Sequence, residues 1–283
     1  MKRLFIILCV VVACASCGTA AAPDDLTVMT LNMRYDNSED GADNWQFRRD
    51  RIGRLIRSEQ VDLLGTQELL CNQFDDLQSR LSDYTAVGVG REDGARAGEF
   101  NAVFFRTDRF ALLDSGTFWL SETPEIAGSK GWDGACERLA TWVVLRDKGD
   151  REFLFINTHL DHVGETARRE GVALLLQRIA VLSGGRPVLL TGDFNAEPQS
   201  TVIAHVLRDN TLHSAWHSAA ERHGSEWSFS DFGALPEAER PLIDFIFYGE
   251  GLTCDYCRIL PDVYDDGYLS DHAPVEASFR FTE

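Results

Sequence analysis

Short runs of consecutive apolar residues recur along the chain and constrain its fold more than any other feature. Residues 153–156 and 188–190 are clear examples, because no polar residue interrupts either run. Unbroken runs of this length are typical of strands that are buried on both faces of a sheet. The clearest predicted strands are residues 26–32, 62–67, 102–106, 111–120, 140–146, 153–158, 188–192, 243–248 and 275–281.

Helical patterns lie between several of these strands. Residues 45–58 and 165–183 each place apolar side chains on one stripe, and residues 72–81 and 201–207 show shorter patterns. A strand-rich chain with helices between its strands favours an α/β fold. We therefore predict two packed mixed sheets with helices on their outer faces.

The first 22 residues are predicted to be an export signal and a short tether. A basic start precedes an apolar run at residues 4–13, which is too short to span a bilayer. Residues 11–14 resemble a bacterial lipobox, so we expect lipid attachment at Cys14, with Cys17 as a less regular site. An ordinary cleaved signal peptide is the alternative. The protein is then exported, either lipid-anchored in the cell envelope or free in the periplasm or outside the cell.

The remaining residues, 23–283, contain no repeat, linker or low-complexity segment and are predicted to form one domain. The formal net charge of the chain is −18, which disfavours tight, non-specific binding to nucleic acid. We expect a monomer whose contact with a membrane is limited to the lipid anchor.

Four cysteines fall in this domain: Cys71, Cys136, Cys254 and Cys257. The last two have the spacing of a redox or zinc pair, but no second pair or histidine accompanies them. We predict buried thiols, with a disulfide as the alternative for a protein outside the cytoplasm.

Polar or acidic residues follow the predicted strands at the point where each strand ends. Asn32 ends the first strand, and Glu68 follows the second. Strands position such side chains rigidly while the following loops admit a substrate, so an active site is expected at these ends. The same placement is found for Asn157-Thr158-His159 and Gly192-Asp193-Phe194-Asn195, whereas Asp244 opens its predicted strand and Ser270-Asp271-His272 precedes the last one.

These motifs, in this order, resemble those of the endonuclease/exonuclease/phosphatase superfamily, and the resemblance spans residues 27–281. It implies a four-layer α/β/β/α sandwich and metal-dependent hydrolysis of a phosphoester. It also implies that Glu68 is the principal metal ligand, with Asn32 and Asp271 close to the ion. Oxygen ligands of this kind suit magnesium or manganese.

The resemblance implies further roles at the other polar positions. Asp193 orients or deprotonates the attacking water, and Asn195 holds a phosphoryl oxygen. His272 acts on the nucleophile or binds the scissile phosphate, and Asp244 fixes its tautomer. His159 faces the phosphate. Arg138 resembles an arginine that contacts phosphate in the family. Supporting roles, or roles in binding substrate or phosphate, are predicted for Glu99, as an acid behind His159, and for Asn101, Arg138, Asp161, His162 and Trp227.

Several aromatic and basic side chains are candidates for the rim of this site. They either contact the substrate or are buried or solvated, and the sequence favours neither interpretation. The aromatic candidates are Trp119, Trp132, Trp227, Phe229 and Phe232, and the basic ones are Arg168 and Arg169.

The predicted function is metal-dependent hydrolysis of a small, glycan or lipid-head-group phosphoester, by a phosphodiesterase or phosphatase. An extracellular nuclease is the alternative, and the lack of a Lys/Arg cluster that would hold nucleic acid argues against it. A catalytically inactive surface lipoprotein that binds phosphorylated ligands is a third possibility. The complete set of polar strand-end residues argues against this non-enzymatic interpretation.

Overall fold

Two stacked β-sheets with helices on their outer faces make up residues 25–282, which are the residues described by this computed structural model. The predicted export signal and tether lie outside these residues. In chain order the strands are β1 (Leu26–Asn32), β2 (Leu63–Gln67), β3 (Tyr84–Val87), β4 (Val103–Arg106), β5 (Phe110–Trp119), β6 (Leu139–Asp147), β7 (Glu152–His159), β8 (Val188–Asp193), β9 (Leu212–Ser214), β10 (Glu221–Gly224), β11 (Asp244–Gly249), β12 (Leu252–Ile259), β13 (Val263–Tyr264), β14 (Gly267–Tyr268) and β15 (Val275–Phe281).

Both large sheets are mixed, as predicted. Within residues 25–282, the first sheet has the strand order β10-β12-β15-β1-β2-β4-β3, and the second has the order β5-β6-β7-β8-β11-β9. The parallel pairs β1–β2 and β7–β8 lie inside their sheets and are flanked by antiparallel neighbours, and a third parallel pair, β10–β12, lies at the edge of the first sheet. A short hairpin, β13–β14, stands apart from both sheets.

Helices cover the outer face of each sheet. The helices are α1 (Trp45–Ser58), α2 (Cys71–Arg80), α3 (Glu165–Leu182), α4 (Thr201–Val206) and α5 (Ala215–Ser218), with two 3-10 turns at Ser38–Asp43 and Glu237–Glu239. The apolar sides of α1 and α2 pack on the first sheet, and that of α3 packs on the second. The predicted four-layer α/β/β/α sandwich is therefore confirmed.

Side chains from β1 show how the layers form. Val28 points between the two sheets and joins the inner core, whereas Met29 points outward and packs with Ile52 and Leu55 of α1. This alternation follows from the two-residue period of a strand. Since both faces of β1 are covered, an unbroken apolar run suits this position.

Gly65 on β2 lies where the two sheets approach each other closely. A Cβ atom at this position would lie 2.2 Å from Thr191 Oγ1 and 2.6 Å from Asn157 Oδ1, which both belong to the second sheet. The Asn157 side chain fills this region with four hydrogen bonds to groups of both sheets. The ends of the strands beyond Gly65 are thereby held in fixed relation.

The cysteines of the described domain, Cys71, Cys136, Cys254 and Cys257, are all free. Cys254 and Cys257 are buried, so the prediction of buried thiols is confirmed and the disulfide alternative is wrong. No helix within residues 25–282 is both long and apolar enough to cross a membrane.

Candidate active site

The carboxyl ends of β1 and β2 meet the carboxyl end of β8 across the sandwich. Asn32, at the end of β1, donates from Nδ2 to Asp193 Oδ2 at 3.0 Å and to Glu68 Oε1 at 3.1 Å. Its Oδ1 accepts from the backbone N–H of Arg34 at 3.0 Å, which fixes the orientation of the amide. The buried Asn32 amide thus connects Glu68, the predicted metal ligand, to Asp193, the predicted base.

Glu68 and Asp271 form an acidic side of the site. The backbone of Glu68 has a φ of 63°, a strained conformation that contacts with the surrounding residues must hold. Its side-chain Oε2 accepts a hydrogen bond from Tyr35 N at 3.1 Å. Burial and the negative charge of Glu68 raise the pKa of Asp271. Arg34 Nη1 lies 3.8 Å from Asp271 Oδ2, beyond hydrogen-bond distance.

This donor set fits a divalent cation. Glu68 and Asp271 offer carboxylate oxygens, which are the ligands preferred by hard cations, whereas Asn32 faces Glu68 with its Nδ2 and positions that ligand rather than supplying an oxygen of its own. The mutual repulsion of the two carboxylates, visible in the raised pKa of Asp271, is the electrostatic situation that a bound cation relieves. Asp193, Asp244 and His272 also lie close enough together to form an acidic/His metal site.

Asp193 lies in the centre of the site. Burial, together with the charge of Asp244, raises its pKa to about 7. Its Oδ2 is 3.4 Å from His159 Nε2 and 3.8 Å from His272 Nε2, and its Oδ1 accepts from Asn195 N at 2.9 Å. A buried carboxylate with a pKa near neutrality is suited to accept a proton from water.

His272 is oriented from behind by Asp244 and Ser228. His272 Nδ1 lies 2.7 Å from Asp244 Oδ2, and the hydroxyl of Ser228 donates to the same oxygen at 2.6 Å. Burial opposes a charge on His272, but the attraction of Asp244 and Asp193 outweighs it and raises the pKa of His272 to about 10. The imidazole therefore presents its Nε2–H to the site as a charged donor.

His159 is neutral and is oriented by Asn195. Burial and the nearby positive charge of Arg138 hold the pKa of His159 well below its usual range, so its contact with Asp193 is not an ion pair. Asn195 Nδ2 lies 3.1 Å from His159 Nε2 and donates to the carbonyl of Leu160 at 3.0 Å. A flipped amide would face that carbonyl with an oxygen, so the hydrogen of His159 is assigned to Nδ1.

The predicted role of Asn195 changes as a result. Both amide hydrogens of Asn195 are engaged by Leu160 and His159, so its Nδ2 is not free to hold a phosphoryl oxygen as expected. The Asn195 side chain positions His159 instead. The backbone of Asn195 has a φ of 46°, in the left-handed region.

The predicted role of Glu99 also needs correction. Glu99 does not hydrogen-bond to His159, whose buried Nδ1 has no partner within the described residues. Its carboxylate pairs instead with Arg91 Nη1 at 2.5 Å and lies 3.9 Å from Arg138 Nη1. Burial and the negative charge of Glu68 raise the pKa of Glu99.

Asp161 is a structural centre of the loops beside the site. Its Oδ1 accepts from the N–H groups of Val163 and Gly164, and its Oδ2 accepts from those of Ala135 and Cys136. Cys136, Asp161 and His162 are close enough to share a metal ion. Since the four N–H groups occupy the Asp161 oxygens, we do not assign a metal there.

The remaining predicted residues have mainly packing roles. Asn101 is buried and donates to the carbonyl of Leu139 at 2.8 Å, and Arg168 donates to the carbonyl of Asp161 at 2.8 Å. Trp119 is buried, so of the two alternatives left open for it packing is the one observed. Trp227 is partly exposed and stacks its ring on Arg240 at 4.4 Å. The other partly exposed rim candidates are Trp132, Phe229 and Phe232, and Arg169 is solvated and paired with Glu170.

Arg48 was missed by the sequence patterns, although it organises two site loops. It is fully buried on α1, and its Nη1 donates to the carbonyls of Met33 at 2.7 Å and Leu269 at 2.8 Å. Burial lowers the pKa of Arg48 to about 10. These bonds join the loop after Asn32 to the loop before Asp271. A single arginine in an otherwise amphipathic helix gives little signal of such a role.

The fold and the polar strand ends define a class of protein: a phosphoester hydrolase with a site suited to divalent metal. The sequence model of the Endonuclease/Exonuclease/phosphatase family matches residues 29–272. The chain belongs to this family.

Solved structures of bacterial proteins support the same assignment. An endonuclease/exonuclease/phosphatase from Bacteroides vulgatus is 40% identical, with a TM-score of 0.89 over 91% of this chain and 99% of that one. A mannosyl-6-phosphatase from Bacteroides thetaiotaomicron VPI-5482 is 34% identical, with a TM-score of 0.85 over 90% of this chain and all of the other.

Curated relatives include a nuclease. The CCR4-Not complex 3'-5'-exoribonuclease subunit Ccr4 of Emericella nidulans is 28% identical over 92% of this chain. The chain spans about half the length of that protein, which has 52% of its sequence covered.

Proposed function

We propose that this protein is a magnesium- or manganese-dependent phosphatase or phosphodiesterase that acts on a phosphorylated sugar or glycan. The Asn32 amide carries the hydrolytic part of the proposal, because it joins Glu68 to Asp193 through hydrogen bonds of 3.1 and 3.0 Å. A metal ligand and a water-activating base are thereby held side by side. The likeness to the mannosyl-6-phosphatase supports the substrate part.

Glu68 and Asp271 would hold the cation, and Asn32 would position Glu68 through its Nδ2. When bound, the cation neutralises charge on the phosphoryl oxygens and helps to polarise the attacked phosphorus. Arg34 N and Tyr35 N hold the Asn32 and Glu68 side chains in place from the other side. Glu68 and the Asn32 amide that holds it are thus supported by backbone groups before the cation arrives, and the Ser270 hydroxyl donates to Asp271 Oδ1 at 3.0 Å.

Hydrolysis needs one water and yields a phosphate and an alcohol. In the proposed step a water oxygen forms a bond to phosphorus as the ester P–O bond breaks in line with it. Asp193 accepts the proton from the water, and the leaving oxygen takes up a proton from solvent to become the alcohol. His272, with Asp244 behind it, donates its Nε2–H to a phosphoryl oxygen.

The nuclease alternative has less support. The Ccr4 relative shows that the family includes exoribonucleases, but a net charge of −18 repels a polyanion. No cluster of unpaired lysines or arginines stands out beside the site in residues 25–282. A protein that only binds phosphorylated ligands would not need Asp193, the proposed base, to be linked through Asn32 to Glu68, the proposed metal ligand.

We propose further that the protein is an exported monomer, held in the cell envelope by a lipid at Cys14 or Cys17. Leu26 opens β1 and Asn32 ends it, so the chain enters the domain at the end of β1 opposite the site. Seven residues of strand span about 20 Å. An N-terminal anchor would therefore be attached on the side of the domain opposite the site.

Metal binding and catalysis can be tested together with Glu68→Gln. The wild type is expected to hydrolyse mannose 6-phosphate with magnesium or manganese, to lose activity in EDTA, and to gain thermal stability when the cation is added. Glu68→Gln should lose at least a hundredfold in kcat/KM and lose the cation-dependent rise in Tm.

Glu237→Gln, on an exposed turn, serves as the matched control and should behave as the wild type. Full activity of Glu68→Gln would contradict the metal assignment. Cleavage of RNA or DNA in preference to sugar phosphates would favour the nuclease instead.

A further inference from the structure

A polar wall beside His159 has unused hydrogen-bonding capacity. It is formed by Arg91, Glu99, Arg138 and His162, and is called here the Arg138 wall. Arg138 is buried, yet the only hydrogen bond of its side chain among the described residues joins Nη2 to His162 Nδ1 at 3.1 Å. Within residues 25–282 the Nε atoms of Arg138 and Arg91 are enclosed without a partner, and Arg138 Nη1, which is not enclosed, has no hydrogen bond either, so Nη1 is the donor that a ligand can reach. A buried guanidinium with free donors is costly unless a ligand supplies acceptors.

The acidic neighbours of Arg138 do not supply these acceptors. Asp161 Oδ2 lies 4.0 Å from Arg138 Nε and already accepts from two backbone N–H groups. Glu99 Oε2 lies 3.9 Å from Arg138 Nη1 and accepts from Arg91 Nη1 at 2.5 Å. Both distances exceed that of a hydrogen bond. A hydrogen-bond acceptor for the Arg138 guanidinium must therefore come from a group outside the wall.

His162 presents a neutral donor at the exposed end of the wall. Arg138 Nη2 can only donate, so His162 Nδ1 is the acceptor and the ring hydrogen is on Nε2. The side chain of His162 is exposed, three residues after the catalytic His159. A group on the substrate next to the phosphate would meet this N–H as it enters.

The charges of the wall favour a neutral ligand. Arg91 forms an ion pair with Glu99, and Arg138 lies 3.9 Å from Glu99 and 4.0 Å from Asp161. The two positive charges are therefore offset by two nearby negative charges. A second phosphate would lack a net positive charge to bind. Hydroxyl groups suit the wall better, because each can accept from an arginine or from His162 and donate to the Glu99 carboxylate.

We propose that the Arg138 wall is a subsite for the ring hydroxyls of the sugar that carries the phosphate, with His162 as a specificity-determining residue. This inference rests on the proposed function and specifies how the leaving alcohol is recognised. The enzyme would then select phosphorylated sugars over aryl or alkyl phosphates. Selection by a hydrogen-bonding subsite is strong, since a ligand without hydroxyls leaves buried donors unpaired.

The test compares two substrates in the wild type, His162→Ala and His162→Gln, with a saturating metal. The ratio of kcat/KM for mannose 6-phosphate to that for phenyl phosphate should fall roughly tenfold in His162→Ala, as expected for a lost hydrogen bond. His162→Gln keeps a donor and should restore much of the ratio. Arg169→Ala, a solvated neighbour paired with Glu170, should leave the ratio unchanged.

A binding measurement separates this inference from the proposed function. Methyl α-D-mannopyranoside has the hydroxyls but no phosphate, and ligand-observed NMR should detect its binding to the wild type but not to His162→Ala. Absence of binding to the wild type, or an equal loss of both substrates in His162→Ala, would overturn the subsite. Binding without hydrolysis of either phosphate would instead contradict the proposed function and leave the subsite supported.

Discussion

Individual hydrogen bonds decide which groups of the site can act. Asp244 Oδ2 receives hydrogen bonds from both His272 and Ser228, whereas its buried Oδ1 has no partner among the described residues. The carboxylate is thus held by one oxygen, and the direction of the His272 ring depends on it. Ser228 also accepts from the N–H groups of Ile243 and Asp244 at 3.0 Å each. A small hydroxyl therefore fixes the orientation of the Asp244 carboxylate, which in turn orients the His272 donor.

Ser228→Ala is expected to lower kcat about tenfold with little change in KM. The change removes one of two hydrogen bonds to Asp244 Oδ2 and leaves two buried N–H groups without an acceptor, at a net cost of about 1–3 kcal/mol. The Asp244 carboxylate then gains freedom to rotate, and His272 loses its alignment. Steady-state kinetics on a sugar phosphate, together with thermal unfolding, measure the two effects.

Two control variants separate alignment from general loss of stability. Ser228→Thr keeps a hydroxyl and should recover most of the activity. Ser214→Ala removes another buried serine, at the end of β9 in the second sheet, and should lower stability without lowering kcat. An equal fall of kcat in Ser214→Ala would show that Ser228 has no specific role.

The polar residues at strand ends could be identified from the sequence, but their partners could not. Glu68, Asp193 and His272 follow apolar strands in recognisable motifs, and the structure brings them together. Ser228 and Arg48 carry no such signal, since their importance comes from contacts with residues that are distant in sequence. The hydrogen-bond directions that changed the roles of Asn195 and Glu99 are also properties of the folded site.

At the scale of elements, the spacing of the two sheets controls the site. β2 ends in Gln67 and is followed by Glu68, and β7 ends in His159; both strands pass the contact of Gly65 with Asn157 and Thr191. The close approach brings the metal side and the base within hydrogen-bond distance. A wider spacing would separate them even if each strand remained intact.

Gly65→Ala is expected to destabilise the protein by about 3 kcal/mol and to lower its Tm by about 10 °C. The added Cβ would lie 2.2 Å from Thr191 Oγ1, in a region of polar side chains that are already hydrogen-bonded. Activity at a temperature where the variant is folded should also fall at least tenfold, because the strand ends move apart. Thermal unfolding and kinetics at low temperature check both parts.

Gly53→Ala provides a matched control in a helix. The new Cβ on α1 would meet Arg80 Cβ at 3.4 Å, an ordinary contact, and alanine is favoured over glycine in a helix by about 1 kcal/mol. This variant should be as stable as the wild type or slightly more so. A similar loss in both variants would contradict the sheet-spacing argument.

Most long elements could be predicted from apolar patterns, whereas short or irregular ones could not. The β1 and α1 boundaries follow the sequence pattern, because each element has a continuous buried side. β12 does not, since a register shift between Cys254 and Tyr256 interrupts its alternation. The bulge also places Cys254 and Cys257 both in the interior, although residues three apart in a regular strand face opposite sides.

At the scale of the whole molecule, the dominant property is negative charge. The chain carries 45 acidic and 27 basic residues, and many of the arginines are paired with aspartate or glutamate at the surface. A phosphorylated substrate approaches this surface against a repulsive field. The site overcomes that field locally, through its cation, Arg34 and His272.

Salt should therefore accelerate the reaction at low substrate concentration. At 10 mM ionic strength the screening length is about 30 Å, and at 150 mM it is about 8 Å, so long-range repulsion is largely removed over this interval. We expect kcat/KM for mannose 6-phosphate to rise about two- to fivefold between these conditions, with the metal kept saturating. A singly charged diester such as bis-p-nitrophenyl phosphate should respond less.

A nucleic-acid enzyme that neutralises several phosphates would show the opposite trend, with affinity falling steeply as salt is added. A decrease in kcat/KM for the sugar phosphate would show that local positive groups, rather than the net charge, govern substrate approach.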